Sequence, residues 1–320
     1  MEAHTDIQMS LKIESTWLAA EGIRSFELVN ADGADLPAFT AGSHIKVQTP
    51  AGQIRRYSLC NNPTETHRYV ITVKREQEGR GGSLSLVDQA SEGDFLKVSM
   101  PENAFPLVDD AEAYLFVAAG IGITPIMAMI QSLYGQQTVP WKLWYLSRRP
   151  ETTAFLGELS TLEQDANIVV HHTYGDPDAV YDLWPIFEKP QRAHIYCCGP
   201  RRLMEEVRDM TGHWPQKNIH FESFVEGGEI LEDDSPFHVR LQSTGARYEV
   251  PVGETIMSVL RQHDVILPSS CESGTCGTCR LALVSGEPDH RDMVLMDDEM
   301  DSFIMPCVSR ALSEELVLDL

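Results

Sequence analysis

The sequence predicts a multidomain protein of the β and α/β classes, and three changes of pattern along the chain predict it. Short β-rich runs separated by polar turns fill the first third, which is typical of a small antiparallel β-barrel. Strands then alternate with helices, which indicates a parallel sheet. A third segment opens with a hairpin pattern and carries four cysteines close to its end. At 320 residues the chain is long enough for two or three domains.

The first segment is predicted to be rich in short strands. Turn residues at 31–33 and 50–52 separate runs of apolar and β-branched residues, as they do in small barrels. The predicted strands cover residues 25–29, 44–49, 56–60, 69–74 and 95–98.

The second segment begins at about residue 111 and alternates buried strands with helices. Its stretch 113–130 is apolar enough to imitate a membrane span. Gly120, Gly122 and Pro125 at the centre of that stretch favour a strand, a turn and a helix instead. The predicted elements are strands at 113–119, 141–146, 167–171 and 194–198, a helix from Pro125 and a helix at 201–210.

The third segment follows a glycine-rich, acidic stretch at residues 226–234, which is a natural linker. Residues 237–242 and 246–250 alternate apolar and polar positions, as the two strands of a hairpin do, and residues 258–263 have a helical pattern. Four of the seven cysteines of the chain follow.

The chain is strongly acidic, with 25 basic against 48 acidic side chains and a net charge of −23. This balance argues against nucleic acid or an anionic membrane surface as a partner. A basic patch on a protein partner and simple solubility explain it equally well. Residues 1–10 lack the basic start and apolar run of a signal peptide. We therefore expect a cytoplasmic protein, and we do not expect disulfides.

The late cysteines have the spacing C-x4-C-x2-C, followed by one cysteine after a long gap. This is the spacing of a plant-type [2Fe–2S] cluster. Gly274 and Gly277 let the loop backbone approach the cluster and donate N–H groups to sulfur. A structural zinc site is the alternative, but such sites usually add a second C-x2-C pair or histidines. The predicted ligands are Cys271, Cys276, Cys279 and Cys307.

With this motif, residues 236–320 resemble a plant-type ferredoxin domain, which has a β-grasp fold. The whole chain resembles the phthalate dioxygenase reductase family. Reductases of Rieske-type oxygenases and O-demethylases share the domain order of this family. The resemblance implies a flavin-binding β-barrel at 1–105, a nicotinamide-binding α/β domain at 106–228 and a [2Fe–2S] ferredoxin domain at 229–320.

Residues 55–58 match the R-x-Y-S element of ferredoxin-reductase-like flavoproteins. The resemblance implies that Tyr57 lies along the flavin, that Ser58 reaches toward its N5 atom and that Arg55 contacts phosphate, which suits a guanidinium. A glycine-rich stretch lies at residues 79–83. There we expect Ser83 to cap a helix whose start attracts the phosphate. The family often uses FMN, and we expect FMN here because no adenine-binding extension is evident, with FAD as the alternative. The predicted flavin residues are Arg55, Tyr57, Ser58, Val73, Lys74, Gly81, Gly82, Ser83 and Phe224.

The loop 120–125 has the pattern G-x-G-x-x-P, in which proline suits the first turn of the following helix. The family uses such a loop at the nicotinamide site, with Thr124 at the junction with the flavin. The resemblance also places Cys198, at the carboxyl end of a strand, near the carbon that gives up hydride. We expect Ser58, Thr124 and Cys198 to be catalytic. The predicted nicotinamide residues are Gly120, Gly122, Thr124, Pro125, Ser147, Arg148, Cys198, Gly199 and Pro200.

Several neighbouring assignments remain open at this stage. Arg148 could pair with the 2′-phosphate of NADPH. Relatives that use NADH also carry Ser-Arg here, so we expect NADH, with NADPH as the alternative. Phe224 is a better cover for a flavin face than Phe221, which equally fits a last core strand. Cys60 and Cys197 are expected to be structural.

The resemblance implies a reductase that takes hydride from NAD(P)H onto flavin and passes single electrons through the cluster to a terminal Rieske-type oxygenase. The C-terminal position of the ferredoxin favours that partner. The alternatives are a diiron oxygenase or another redox protein as acceptor, and a redox-sensing module that binds flavin without nicotinamide turnover. The substrate of the oxygenase is not encoded in this chain.

From Leu231 onward the chain has six arginines, no lysine and seventeen acidic residues. For any one of these acids a solvated surface is the better interpretation. As a set, they predict an acidic docking face that steers a basic patch on the oxygenase toward the cluster. The acidic residues nearest the cysteines are Glu272, Asp297, Asp298, Glu299 and Asp301.

Overall fold

The computed structural model describes residues 7–77, 79, 81–134, 139–162, 167–225, 227–228 and 230–320. The chain divides into two compact units, Met1–His220 and Phe221–Leu320. The first unit holds an antiparallel sheet and nearly all of a parallel sheet, and the second holds a smaller mixed sheet. The predicted fold class, with antiparallel, parallel and ferredoxin-like parts, is confirmed.

The antiparallel sheet closes into a barrel. Its strands run in the order β4-β3-β6-β1-β2-β5, and β7 pairs with β3. The two ends meet where Leu59 bridges Ile71 and the Cys60 N–H donates to the Val70 carbonyl at 2.9 Å. The strands are β1 (Ile7–Ala20), β2 (Ile23–Val29), β3 (Ser43–Gln48), β4 (Ile54–Ser58), β5 (Tyr69–Lys74), β6 (Phe95–Ser99) and β7 (Glu102–Asn103), with helix α1 (Gly82–Gln89) between β5 and β6.

The barrel interior is filled by alternate side chains of these strands, because successive residues of a strand face opposite sides. Leu11 and Ile13 of β1 point inward, and so do Phe26 and Leu28 of β2. Leu86 of α1 joins the same core, which fixes the start of that helix against the barrel wall.

The parallel sheet has the strand order β10-β9-β8-β11-β12. Its central strand leads through a single 3-10 turn into α2, where every residue from Ile123 to Ile130 is buried. The apolar stretch 113–130 is therefore a strand, a turn and a helix, as predicted. Among the described residues no helix is long and apolar enough to cross a membrane. The elements are β8 (Tyr114–Ala119), α2 (Ile123–Leu133), β9 (Trp141–Ser147), α3 (Leu156–Leu162), β10 (Ile168–His172), α4 (Trp184–Phe187), β11 (His194–Cys198), α5 (Arg201–Met210) and β12 (Ile219–Glu222).

The mixed sheet of the second unit has the order β14-β13-β19-β15-β17, and β13 and β19 form its parallel pair. Helix α6 covers one face and begins at a capping box in which Thr255 and Ser258 satisfy each other's backbone N–H groups. This is the β-grasp arrangement. The elements are β13 (Phe237–Leu241), β14 (Arg247–Val250), α6 (Ile256–Gln262), β15 (Leu281–Ser285), β16 (Pro288–Asp289), β17 (Phe303–Ile304), β18 (Arg310–Ala311) and β19 (Glu315–Leu318), with β16 and β18 paired separately.

Candidate active site and metal centre

Arg55 of β4 lies against the first turn of α1. A Cβ atom added to Gly82 would lie only 2.9 Å from the Arg55 Cγ, so the two segments are in direct contact. Gly81, just before the helix, has φ of +84°. The guanidinium donates to the Gln53 Oε1 and to the Ile54 carbonyl, each at 2.7 Å. A cation beside the free N–H groups of a helix start makes an anion site, which fits a phosphate.

Ser83 does not cap this helix, and that expectation was wrong. The helix begins at Gly82, so the cap position belongs to Gly81, and no side chain accepts a hydrogen bond there. The Ser83 Oγ instead accepts from the Glu76 N–H at 3.2 Å and closes the loop before the helix. Arg80, in the glycine-rich stretch 79–83, lies outside the described residues.

Tyr57 presents a buried polar atom that has no hydrogen-bond partner among the residues described. Burial raises the pKa of this phenol to about 12 despite the nearby Arg55. Ser58, the next residue, is 5% exposed and pairs with His44 across the sheet. An unsatisfied phenol hydroxyl in a partly buried position fits a site shaped for a bound polar aromatic group.

Three further predicted flavin residues differ in how far their side chains are exposed to a ligand. The Val73 side chain belongs to the barrel core, so only its backbone can face a ligand. Lys74 is exposed and its Nζ lies 2.9 Å from the Glu76 carboxylate. Phe224 is 45% exposed, whereas Phe221 is 5% exposed and packed inside, which agrees with the preference for Phe224.

The predicted nicotinamide residues come together at the carboxyl edge of the parallel sheet. Strands β8 and β11 are neighbours, so the turns that follow them meet. A Cβ atom on Gly122 would lie 2.2 Å from the Cys198 carbonyl oxygen, and one on Gly199 would lie 3.0 Å from the Ala119 Cβ. Only glycine allows two turns to approach this closely, and the crevice at such an edge is the usual ligand site of open α/β sheets.

Within this edge, Thr124 is 2% exposed and its hydroxyl donates to the Ile121 carbonyl at 2.9 Å. Its oxygen keeps a lone pair for another donor. Cys198 is 1% exposed at the end of β11, and Cys197 is fully buried in the core, where burial raises the pKa of its thiol. Burial also raises the pKa of Cys60 to about 12. The latter two cysteines are core residues, as expected.

Ser147 and Arg148 lie where β9 ends. The Ser147 hydroxyl and the Thr153 hydroxyl are 2.6 Å apart, and Thr153 contacts the His172 Nε2 at 3.1 Å. Arg148 is exposed, with no ion-pair partner among the described side chains. Its neighbour Arg149 lies 3.6 Å from the Glu21 carboxylate. Arg148 is thus one cation of this edge that is available for a nucleotide.

The four predicted cluster ligands come together in two pairs. The Cys279 and Cys307 Sγ atoms are 3.3 Å apart, and the Cys271 and Cys276 thiols hydrogen-bond to each other. Among the described residues no three His, Cys, Asp or Glu side chains converge on one ion position. Two pairs fit a [2Fe–2S] cluster, whose two irons each take two protein ligands, better than they fit zinc, whose ligands surround one ion.

The loop around Cys271 is shaped to stabilise thiolates. The N–H groups of Ser273 and Thr275 point at the Cys271 Sγ at 3.5 Å each. The pKa of the Cys271 thiol is lowered, chiefly through the hydrogen bond with Cys276 and further through these N–H groups. Gly274, with φ of +74°, permits the loop to turn so tightly. Cys276 is partly exposed, whereas Cys279 and Cys307 are buried, so one side of the centre reaches the surface.

Sequence reasoning missed two residues that lie behind this loop, His290 and Asp292. A Cβ atom on Gly274 would lie 3.1 Å from the Asp292 Cα, and the Met293 N–H donates to the Gly274 carbonyl at 2.9 Å. The only signal in the sequence is a polar His-Arg-Asp triplet directly before the apolar residues 293–296, and it has no spacing that points to a cluster.

The acidic residues near the cysteines are not equivalent. Glu272 pairs with Arg261 at 2.9 Å, and Glu299 pairs with Arg280 at 2.9 Å. The remaining three are exposed and have no ion pair among the described residues. They are Asp297, Asp298 and Asp301.

The chain is similar to known proteins over nearly its whole length. The family model described as a 2Fe-2S iron-sulfur cluster binding domain matches residues 239–312. Phthalate dioxygenase reductase of Burkholderia cepacia is 51% identical over 98% of this chain and 97% of its own length. Vanillate O-demethylase oxidoreductase of Pseudomonas putida is 38% identical over 94% of this chain and 96% of its own.

Two solved structures are similar to this chain over nearly its whole length. A structure of phthalate dioxygenase reductase, described as modular for electron transfer from pyridine nucleotides to [2Fe–2S], matches with a TM-score of 0.73, 51% identity and 98% coverage of both chains. An intact type IV self-sufficient cytochrome P450 monooxygenase matches with a TM-score of 0.71 and 34% identity, over 97% of this chain and 41% of that one.

Proposed function

The chain belongs to the phthalate dioxygenase reductase family, and from this premise we propose how its own residues carry electrons and to what partner. It is an NAD(P)H-dependent flavin and iron–sulfur oxidoreductase of oxygenase systems. We propose that the acceptor is a terminal Rieske-type oxygenase, as the names of the related dioxygenase and demethylase reductases suggest.

Residues 1–105, 106–228 and 229–320 are proposed to serve flavin, nicotinamide and cluster respectively. When bound, the flavin accepts a hydride as an electron pair and releases electrons singly, which a [2Fe–2S] cluster requires. Arg55 and the N–H groups at the start of α1 would hold the flavin phosphate. The Tyr57 hydroxyl, which has no hydrogen-bond partner among the described residues, would gain one from the flavin, and Ser58 would donate toward the flavin ring. FMN is the proposed flavin, because no adenine-binding extension is evident in the sequence.

At the carboxyl edge of the parallel sheet, the glycine turns bring Thr124 and Cys198 to one crevice. Their proposed role is to bind and orient the nicotinamide ring and to exclude water from it, since both side chains are almost fully buried. NADH is the proposed coenzyme, with Arg148 exposed where the ribose would lie.

Cys271, Cys276, Cys279 and Cys307 are proposed as the cluster ligands, and the single observation that carries this is their arrangement in two pairs. The partly exposed Cys276 side is the proposed exit for electrons, because transfer between proteins requires a short path.

The decisive experiment is anaerobic titration of the purified protein with NADH. We expect NADH to bleach the flavin and to produce the electron paramagnetic resonance signal of a reduced [2Fe–2S] cluster, and we expect about two irons per chain. Zinc in place of iron, or a flavin that NADH does not reduce, would refute the proposal. A screen with Rieske, diiron and cytochrome P450 acceptors would then identify the partner class.

A further inference from the structure

Four residues behind the cluster loop, Asp292 to Leu295, contact it at three separate points. The Met293 N–H donates to the Gly274 carbonyl at 2.9 Å. The Val294 side chain closes on Gly277, where an added Cβ would lie 3.2 Å from its Cγ1. Leu295 packs in the apolar cluster that contains Cys279 and Cys307. We call these four residues the backing segment.

Asp292 fixes the backbone conformation of the backing segment. Its carboxylate is buried, with no exposed side-chain surface. The Oδ1 atom accepts the N–H of Val294 at 2.9 Å and the N–H of Leu295 at 2.8 Å. One carboxylate oxygen therefore fixes the two residues that touch Gly277 and the buried cysteines. Removing such an acceptor leaves two inward-facing N–H groups without a partner.

His290 lies beside the second oxygen of the Asp292 carboxylate. Its Nδ1 lies 3.8 Å from the Asp292 Oδ2, and its Nε2 lies 3.0 Å from the Met300 carbonyl. Both contacts use imidazole nitrogens as donors in the charged form. The pKa of His290 is raised, first by Asp292, and Asp289 acts in the same direction. The imidazole thus links the backing segment to the turn that precedes Cys307.

We propose that Asp292 is a positioning residue for the cluster, which fixes the backing segment over the ligand loop, and that His290 holds and neutralises it. The proposal rests on the proposed cluster ligands. Its physical basis is that hydrogen bonds and charges around cluster cysteines set both ligand geometry and reduction potential. The two residues have opposite electrostatic effects, because one carries the negative charge and the other offsets it.

The test compares Asp292→Asn and His290→Gln with the wild-type holoenzyme. Asparagine keeps an oxygen for the two N–H groups but loses the charge, so the midpoint potential of the cluster should rise. Glutamine at 290 removes the positive charge beside the carboxylate, so the potential should fall. Asp292→Ala, which also loses the acceptor, should release iron to a chelator several-fold faster and change the shape of the resonance signal of the reduced cluster.

Glu287→Gln is the control, because it removes one exposed negative charge from the same unit. Potentials of both variants equal to that control would overturn the proposal, and so would shifts of the same sign in Asp292→Asn and His290→Gln. A wild-type protein without iron would instead refute the proposed function. Reduction of flavin by NADH should be unchanged throughout, which separates a local effect on the cluster from general misfolding.

Discussion

The Arg291 guanidinium is hydrogen-bonded to the Asp234 carboxylate in the interior of the C-terminal unit, where their side chains are 6% and 3% exposed. Asp289 binds the same guanidinium, and Arg310 lies 3.7 Å from Asp234. Asp234 belongs to the acidic stretch that the sequence suggests is a linker, so the last part of that stretch is tied to the core of the unit.

We therefore expect Asp234→Ala to destabilise the C-terminal unit by about 1–3 kcal/mol, because buried donors of Arg291 lose a charged acceptor and only Asp289 is left to offset the cation. Denaturant unfolding followed by loss of cluster absorbance measures this. The control is Asp233→Ala, since Asp233 is the adjacent exposed carboxylate. Equal stability of the two variants would contradict the prediction.

The stability that the Asp234–Arg291 pair contributes is predicted to depend on pH. Hydrogen bonding to Arg291 holds the pKa of Asp234 below its ordinary value of 3.8. A carboxylate with a lowered folded pKa adds stability above its unfolded pKa, and this is lost as the pH falls through the folded value. The difference in unfolding free energy between wild type and Asp234→Asn should thus be constant above pH 3.8 and shrink below it.

Much of the fold could be predicted because the sequence patterns that indicate its strands and helices are local. The strand Tyr69–Lys74, the strand His194–Cys198 and the helix Arg201–Met210 have the bounds that their patterns predict. The long strand Ile7–Ala20 was missed. Its inward residues alternate only briefly, and irregularities in its pairing at Ile13 and Leu18 interrupt the period.

At the sites, residue type and spacing predicted the cysteines and the glycine turns that the structure brings together, because ligation and close approach allow few alternatives. The Ser83 cap was wrong, because which residue starts a helix depends on backbone conformation, here the positive φ of Gly81. His290 and Asp292 could not be found, since they reach the ligand loop through tertiary packing and not through spacing.

Cys276→Ser should abolish or destabilise the cluster while leaving hydride transfer to flavin intact. Serine is a poor substitute for a thiolate ligand, and Cys276 is paired with Cys271. Iron content and visible absorbance report the loss, and stopped-flow bleaching with NADH reports the flavin. Cys197→Ala, in the core of the parallel sheet, should keep full iron. Full iron in Cys276→Ser would remove this residue from the ligand set.

The coenzyme preference should favour NADH by at least about tenfold in kcat/KM, the factor that roughly 1.4 kcal/mol provides. Residual activity with NADPH should depend on Arg148, which is exposed and without an ion pair among the described residues. Arg148→Ser is then expected to lower kcat/KM for NADPH but not for NADH. Arg149→Ser is the control, because Arg149 is engaged with Glu21. A wild-type preference for NADPH would reverse the assignment.

Docking to the oxygenase should depend on the exposed acids Asp297 and Asp298. Glu272 and Glu299 are already paired with arginines, so they contribute less to a steering field than the sequence suggests. Charge attraction raises association rates and weakens as salt screens it, with a Debye length of about 8 Å at physiological ionic strength.

Reversal of both residues, Asp297→Lys with Asp298→Lys, should slow second-order reduction of the oxygenase about tenfold at low salt. The effect should fade as salt is added, because screening removes the attraction in the wild type as well. The matched control reverses Asp109 and Asp110, an adjacent exposed pair in the N-terminal unit with the same change in net charge. Slowing that is equal in both double variants would mean that net charge alone steers the encounter. No slowing in either, with association limiting the rate, would mean that the acidity serves only solubility.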